Sequence, residues 1–360
     1  MIQAKRHIAG MSTYKPPWSN IDRSGFLRLD LNENTLSPPG HVKSAMKKYI
    51  DDNRIQMYPD YQNFLPKLSK YADVDAEQLI LTNGSDQAIE IVLRAFLGMN
   101  DEMVMAQPGF PMFTQIAGVI GAKVIGVPYN PDMSFPYKKY FEAITRETKL
   151  AVIINPDNPT GASISISGIE DVLKLRDDLP ALVDEAYFEF TSETAMHFLK
   201  AYPNLIILRT FSKAFAMAGL RLGYIIANPD IISQFYKIRG PFDVNSCALT
   251  AAGAQLDFDR EWKRFVNETM TVSKPYLETF FKKNNVSYYP GAANFMLVQP
   301  ADRNNAVDYL KKNGILVRPM TAPCIENTFR MNIGTLEQTK HFAHIYKRYI
   351  IEKDKDPGKK

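Results

Sequence analysis

The chain has 360 residues, 45% hydrophobic and 23% charged, with a formal net charge of only +4. Such values describe an ordinary soluble globular protein long enough for two lobes, and they leave no basic stripe of the nucleic-acid type. Cys247 and Cys324 make neither a disulfide framework nor a CxxC pair, which points to a reducing cytoplasm, and no apolar run approaches the ~20 residues that span a bilayer.

In chain order, the first residues are polar and carry Lys5, Arg6 and His7, so no secretory leader is expected. Residues 1–50, with Pro16-Pro17 and Pro38-Pro39, have little periodicity and are expected to pack on the C-terminal part and the cleft. Residues 51–259 alternate short β-rich runs (79–82, 102–106, 123–127, 150–154, 181–183, 205–209, 223–227) with helical stretches such as 86–97 and 168–176. Nearly continuous apolar strands between helices predict an α/β domain with a mostly parallel sheet covered on both faces. From 260 to 350 the pattern becomes α+β. A helical stretch over 260–284, interrupted by Pro275, precedes strands at 287–289, 295–299, 315–318 and 329–333 and a helix over 336–349. This is a second, smaller domain. His341 and His344 have no carboxylate or cysteine companions and read as surface residues, so no metal is expected. The lysine-rich end, 351–360, is expected to fray.

Chemistry-bearing residues fall at the strand ends, where open α/β sheets place their ligands. Thr82-Asn83-Gly84-Ser85-Asp86-Gln87 turns from a strand into a helix whose free amides suit a phosphate, although taken alone it reads first as plain helix capping by Ser85 or Asp86. Phe110, in Pro108-Gly-Phe-Pro-Met-Phe113, is either a stacking platform for a flat ring or a core aromatic. Asn155-Pro-Asp-Asn158-Pro-Thr-Gly161 gives Asn158 a preset direction between two prolines, suited to a phenolate-type oxygen. Val183-Asp184-Glu-Ala-Tyr187 puts a carboxylate at the end of an apolar strand, where it needs a cation such as a protonated pyridine. Tyr187 follows on the loop.

The most specific stretch is Thr210-Phe-Ser212-Lys213-Ala-Phe-Ala-Met-Ala-Gly219-Leu-Arg221-Leu-Gly223. One amine, two hydroxyls, a guanidinium and two glycines at a strand exit suit a phosphorylated aldehyde cofactor: lysine condenses with the aldehyde, hydroxyls and arginine hold the phosphate. Downstream, Arg318 and Arg330 lie in largely apolar strands, where each requires either a bound anion or an internal ion pair.

Together with Leu31-Asn-Glu-Asn34, Tyr58-Pro-Asp and Arg330-Met-Asn-Ile-Gly-Thr335, these motifs resemble the fold-type-I pyridoxal-phosphate aminotransferases, and within them the histidinol-phosphate aminotransferase family, from about Tyr14 to Tyr349. The resemblance implies a seven-stranded sheet sandwiched by helices plus a smaller α+β domain. It implies that Lys213 binds pyridoxal 5′-phosphate covalently and acts as the base, Asp184 pairs with the pyridine nitrogen, Asn158 and Tyr187 hold the ring oxygen, and Phe110 stacks on the ring. Family members often carry tyrosine there, so stacking is kept and the hydroxyl lost. Gly84, Ser85 and Asp86 would meet the phosphate by backbone amides, Thr210, Ser212 and Arg221 by side chain. Tyr58 would reach it from the neighbouring subunit of a homodimer with shared sites. Arg330 would grip the carboxylate of the amino donor, glutamate, and Arg318 with Tyr14 a phosphate on the second substrate.

Thr35-Leu-Ser-Pro38 and the Tyr14–Trp18 stretch depart from the family pattern in the region that shapes the acceptor pocket. Imidazole-acetol phosphate is the default acceptor and dihydroxyacetone phosphate a competitor. Decarboxylation of an O-phospho-amino acid is the rival reaction on the same scaffold. A dinucleotide oxidoreductase would need a GxGxxG turn, which is absent. A non-catalytic pyridoxal-phosphate-binding regulator would normally lose Lys213 or gain a DNA-binding segment.

Overall fold

The computed structural model describes residue 2, residues 4–15, residue 18 and residues 20–355. Pro16, Pro17 and the last five residues of the expected tail lie outside that description.

The strands, in chain order, are β1 (Leu27–Leu29), β2 (Leu79–Thr82), β3 (Glu102–Gln107), β4 (Lys123–Pro128), β5 (Thr148–Ile154), β6 (Ala181–Asp184), β7 (Leu205–Thr210), β8 (Gly223–Ala227), β9 (Ser287–Tyr289), β10 (Phe295–Gln299), β11 (Ile315–Pro319) and β12 (Phe329–Asn332). Seven of them form one sheet in the order β2-β8-β7-β6-β5-β3-β4. Strands β3 to β7 are parallel, and only β8 runs against its neighbours β2 and β7.

The sheet is buried on both faces because its strands are apolar at odd and even positions alike. Leu79, Leu81, Val104, Ile153, Val183 and Ile207 enter one core layer. Their neighbours Ile80, Met103, Val152, Leu182, Ile206 and Ile225 enter the other. Each such side chain contributes roughly 1.5–3 kcal/mol on burial. The strand ends are therefore held by dense packing on two sides, and loops leaving them start from fixed points.

The smaller sheet has the order β1-β11-β12-β10-β9. Strand β1 joins parallel to β11, with Leu27 opposite Ile315 and Leu29 opposite Val317. The N-terminal segment thus supplies an edge of this sheet, and the residues just after β1 cross toward the larger one.

Two expectations need correction. The stretch over 260–284 is not broken at Pro275. It runs as a helix Arg260–Glu268, a π-helical turn Thr269–Ser273 and a helix Lys274–Lys283. Proline crowds the turn before it and offers no amide proton, and the wider turn placed there accommodates both. The last helix, Leu336–Lys355, continues past Tyr349 into the expected tail. Ile350 packs against the smaller core and carries the helix onward.

Candidate active site

The loops leaving β2, β3, β5, β6 and β7 converge on a cavity of about 380 Å³. Ile154 and Asp184 end β5 and β6 at its floor, Lys213 and Ser212 follow β7, Phe110 follows β3, and Ser85 and Asp86 follow β2. A larger cavity of about 730 Å³, bordered by Met11, Thr114 and Cys324, has no charged side chain in its lining among the described residues. The chemistry is concentrated in the smaller one.

Lys213 donates from Nζ to the Leu31 carbonyl at 3.2 Å and has no carboxylate partner among the described residues. Burial, with Arg330 and Arg221 nearby, pulls its ammonium down to about 8. Asp184 is 3% exposed, and its Oδ1 accepts from the Ala186 amide at 3.0 Å. Burial, then Asp86 and Glu185, push its carboxyl up to about 7. The adjacent Glu185 shows the contrast. It points the other way and forms a buried pair with Arg209, whose NH2 lies 2.8 Å away. Glu185 has found its cation inside the protein; Asp184 has not.

Asn158 and Tyr187 both line this cavity. The turn carrying Asn158 is braced by Asp157, which accepts from the Thr160 amide and hydroxyl at 3.0 and 2.6 Å. At its end Gly161 has φ +75° and lies so close to Gly291 that a Cβ would sit 2.7 Å from the Gly291 Cα. Only glycine fits there. Asn158 Oδ1 accepts from Arg330 NH1, so its Nδ2 has no protein partner among the described residues. The Tyr187 hydroxyl accepts from Asn32 Nδ2 at 2.8 Å, and burial pushes this phenol up to about 12.

Beyond the lysine, the amides of Ser85 and Asp86 stand in the first turn of the helix Gly84–Phe96, with the orphan N–H groups and dipole end of any helix start. Arg221 lies over this turn and pairs with Asp86 at 2.9 Å. A Cβ on Gly84 would lie 2.3 Å from the Arg221 NH2, and one on Gly223 would lie 2.8–2.9 Å from Gly84 C and Ser85 N. These glycines let the backbone and the guanidinium line one cradle.

On the opposite wall Arg318 and Arg330 are direct cross-strand partners of β11 and β12. Like charges so placed repel unless an anion lies between them. Neither has a carboxylate within ion-pair distance among the described residues. Arg318 NH2 donates to the Tyr14 hydroxyl at 2.8 Å, and Arg330 NH2 to the Asp30 carbonyl at 3.0 Å. Burial, together with Arg318, pulls the Arg330 guanidinium down to about 10.

Three of the singled-out residues do not line the cavity. Thr210 is 2% exposed and lies behind it, where its hydroxyl donates to Ser212 Oγ at 3.0 Å and accepts from the Ser212 amide. Gly84 backs Arg221 rather than opening into the space. Tyr58 is 77% exposed, away from this cavity, stacked on Phe242 with ring centroids 4.4 Å apart. Conversely, Leu31 and Glu33 line the cavity without having been assigned a part, and Asn32 between them touches Tyr187. Their Leu-Asn-Glu-Asn motif was the available signal.

The sequence profile of the family Aminotransferase class I and II matches residues 24–345. The chain belongs to this family. The aminotransferase is 34% identical to the histidinol-phosphate aminotransferase of Geobacillus sp. (strain WCH70), over 98% of this chain and 99% of that one. It is 36% identical to the enzyme of the same name from Dehalococcoides mccartyi (strain CBDB1), over 92% of each. Its fold matches the crystal structure of histidinol-phosphate aminotransferase from Sinorhizobium meliloti in complex with pyridoxal-5′-phosphate, with a TM-score of 0.88, 22% identity and 98% of each chain covered.

Enzymes of this class use pyridoxal phosphate, and the aminotransferase fits it. Among the described residues a buried carboxylate, Asp184, lacks a cation and a buried amine, Lys213, lacks a counter-ion, and a glycine-backed cradle of amides and guanidinium stands beyond them.

Proposed function

We propose that this aminotransferase moves the amino group of glutamate to a small phosphorylated ketone of the imidazole-acetol phosphate type, with dihydroxyacetone phosphate the nearest competitor. The observation that carries this reading is the unneutralised cross-strand pair Arg318 and Arg330, opposite Lys213 and Asp184 in one cavity. Two guanidiniums side by side suit substrates with two anionic ends or a dianionic phosphate. The names of the relatives at 34% and 36% identity support the phosphorylated acceptor.

In this reading the Ser85 and Asp86 amides, Ser212 Oγ and Arg221 would hold the cofactor phosphate. Thr210 orients Ser212. Asp184 pairs with the protonated ring nitrogen, Asn158 Nδ2 and the Tyr187 hydroxyl hold the ring oxygen, and Phe110 covers the ring face. Bound pyridoxal phosphate supplies the electron sink for bond breaking at the substrate Cα. Lys213 Nζ would act as the base. Burial, which draws this amine down to about 8 in the cofactor-free chain, favours the unprotonated form that a base needs. Arg330 grips the carboxylate of glutamate, and Arg318 with Tyr14 the second anion.

Tyr58 reaches the phosphate of the neighbouring subunit in a homodimer. Ile55, Met57, Tyr58 and Phe242 are large apolar side chains left exposed on one chain, as an interface would require. Cys247 and Cys324 are both free, which accords with a cytoplasmic enzyme. Among the described residues no helix is long and apolar enough to cross a membrane.

The test is a screen of phosphorylated ketones against glutamate-treated protein, following return of the cofactor's aldehyde absorbance. Imidazole-acetol phosphate or dihydroxyacetone phosphate is expected to restore it far faster than unphosphorylated analogues. Carbon dioxide release from O-phosphothreonine without any amino transfer would overturn the proposal.

A further inference from the structure

Asn32 is fully buried and holds a left-handed backbone, φ +56°, which asparagine tolerates better than most side chains. It lies three residues beyond β1, in the segment that crosses from the smaller sheet to the cavity. Its Nδ2 donates to the Tyr187 hydroxyl at 2.8 Å, its Oδ1 has no partner among the described residues, and its carbonyl accepts from Asn294 Nδ2 at 3.4 Å. A phenol that accepts an amide N–H cannot send its own proton back along that line. The Tyr187 hydroxyl has no other protein partner among the described residues, and Tyr187 lines the cavity beside Asn158.

We propose that Asn32 is a positioning residue that sets the direction of the Tyr187 hydroxyl proton, keeping this phenol a donor toward the ring oxygen of the bound cofactor. The assignment rests on the proposed roles of Tyr187 and Asn158. Both groups then present donors to the same oxygen, because Asn158 Oδ1 is already taken by Arg330 and Nδ2 remains. Donors there stabilise the negative oxygen and lower the pH midpoint of the cofactor's visible band, so losing one raises it. The charged groups facing the phenol are Asp157 after β5, Asp184 on β6, Lys213 after β7 and Arg330 on β12. Substitution at Asn32 alters none of them.

Asn32→Asp keeps the shape but accepts where the amide donates, so it turns the Tyr187 proton away from the cavity. The experiment titrates the visible absorbance of the cofactor-loaded protein for the parent, Asn32→Asp, Tyr187→Phe and the double variant. Tyr187→Phe is expected to raise the midpoint by about 1–2 units, the loss of one hydrogen bond to a charged oxygen. Asn32→Asp is expected to raise it by a similar amount, and to add only the small effect of its own charge on the Tyr187→Phe background. Should Asn32→Asp fold poorly, Asn32→Gly, which suits the same φ, removes the amide without a charge and is expected to give a smaller rise.

An unmoved midpoint in Tyr187→Phe would refute the underlying role of the phenol. A clear shift there, with Asn32→Asp and Asn32→Gly unmoved or with Asn32→Asp simply additive, would refute the inference about Asn32 alone. A structural role would lower Tm in the Asn32 variants without shifting the midpoint beyond that charge effect.

Discussion

Lys213→Ala protein is expected to fold normally, to bind pyridoxal phosphate only reversibly, and to lose transamination by at least about 10⁴-fold, the larger end of what a positioned base contributes. The fold should survive because Lys213 sits in a loop after β7 and its side chain makes one hydrogen bond, to the Leu31 carbonyl. Removing it also relieves the desolvation that draws its pKa down. Activity should not survive, since among the described residues no other amine stands beside Asp184 and Tyr187 in the cavity lining. Single-turnover absorbance with glutamate and a melting curve measure the two halves. Near-parental turnover in a well-folded variant would show that another group moves the proton.

The Asp184→Asn variant should separate stability from function. In the cofactor-free chain burial raises the Asp184 carboxyl from 3.8 to about 7. The folded state therefore holds a proton that the unfolded state releases between these values. The protonated carboxyl's contribution is fully present below about pH 4 and is lost as pH rises through about 7. Asparagine has the same shape, still accepts from the Ala186 amide and suffers no such loss. Cofactor-free Asp184→Asn is thus expected to match the parent near pH 4 and to melt several degrees higher at pH 8. With cofactor the order reverses. The parent carboxylate gains its cation at the ring nitrogen, and the variant should turn over about 10²–10³-fold more slowly, the usual cost of removing one preorganised electrostatic partner. Equal melting of both cofactor-free proteins at pH 8 would mean that Asp184 is already compensated within the chain, as Glu185 is by Arg209.

What was readable in the sequence follows from where it is periodic. Apolar runs at 150–154, 181–183 and 205–209 locate the strand ends, and polar residues that follow an apolar strand have little choice but to face the crevice there. Asn158, Asp184, Tyr187 and Lys213 were legible for that reason. Thr210 is still inside β7, whose last residues remain packed, and its hydroxyl contacts Ser212, a side-chain arrangement that local sequence does not specify. Asn32 was overlooked because the N-terminal fifty residues lack a repeating pattern, and its partner Tyr187 is 155 positions away. Arg318 and Arg330 could each have found an internal carboxylate. Only the register of β11 on β12, a long-range pairing, reveals that they share one site. Pro275 looked like a break because a local rule for proline cannot anticipate a widened turn just ahead of it.

The most direct measurement is borohydride reduction of the protein incubated with pyridoxal phosphate, followed by digestion and mass spectrometry of the peptides. One stoichiometric pyridoxyl modification is expected, on Lys213, abolished by prior treatment with glutamate. Modification of another lysine in its place, or none at all, would contradict that expectation.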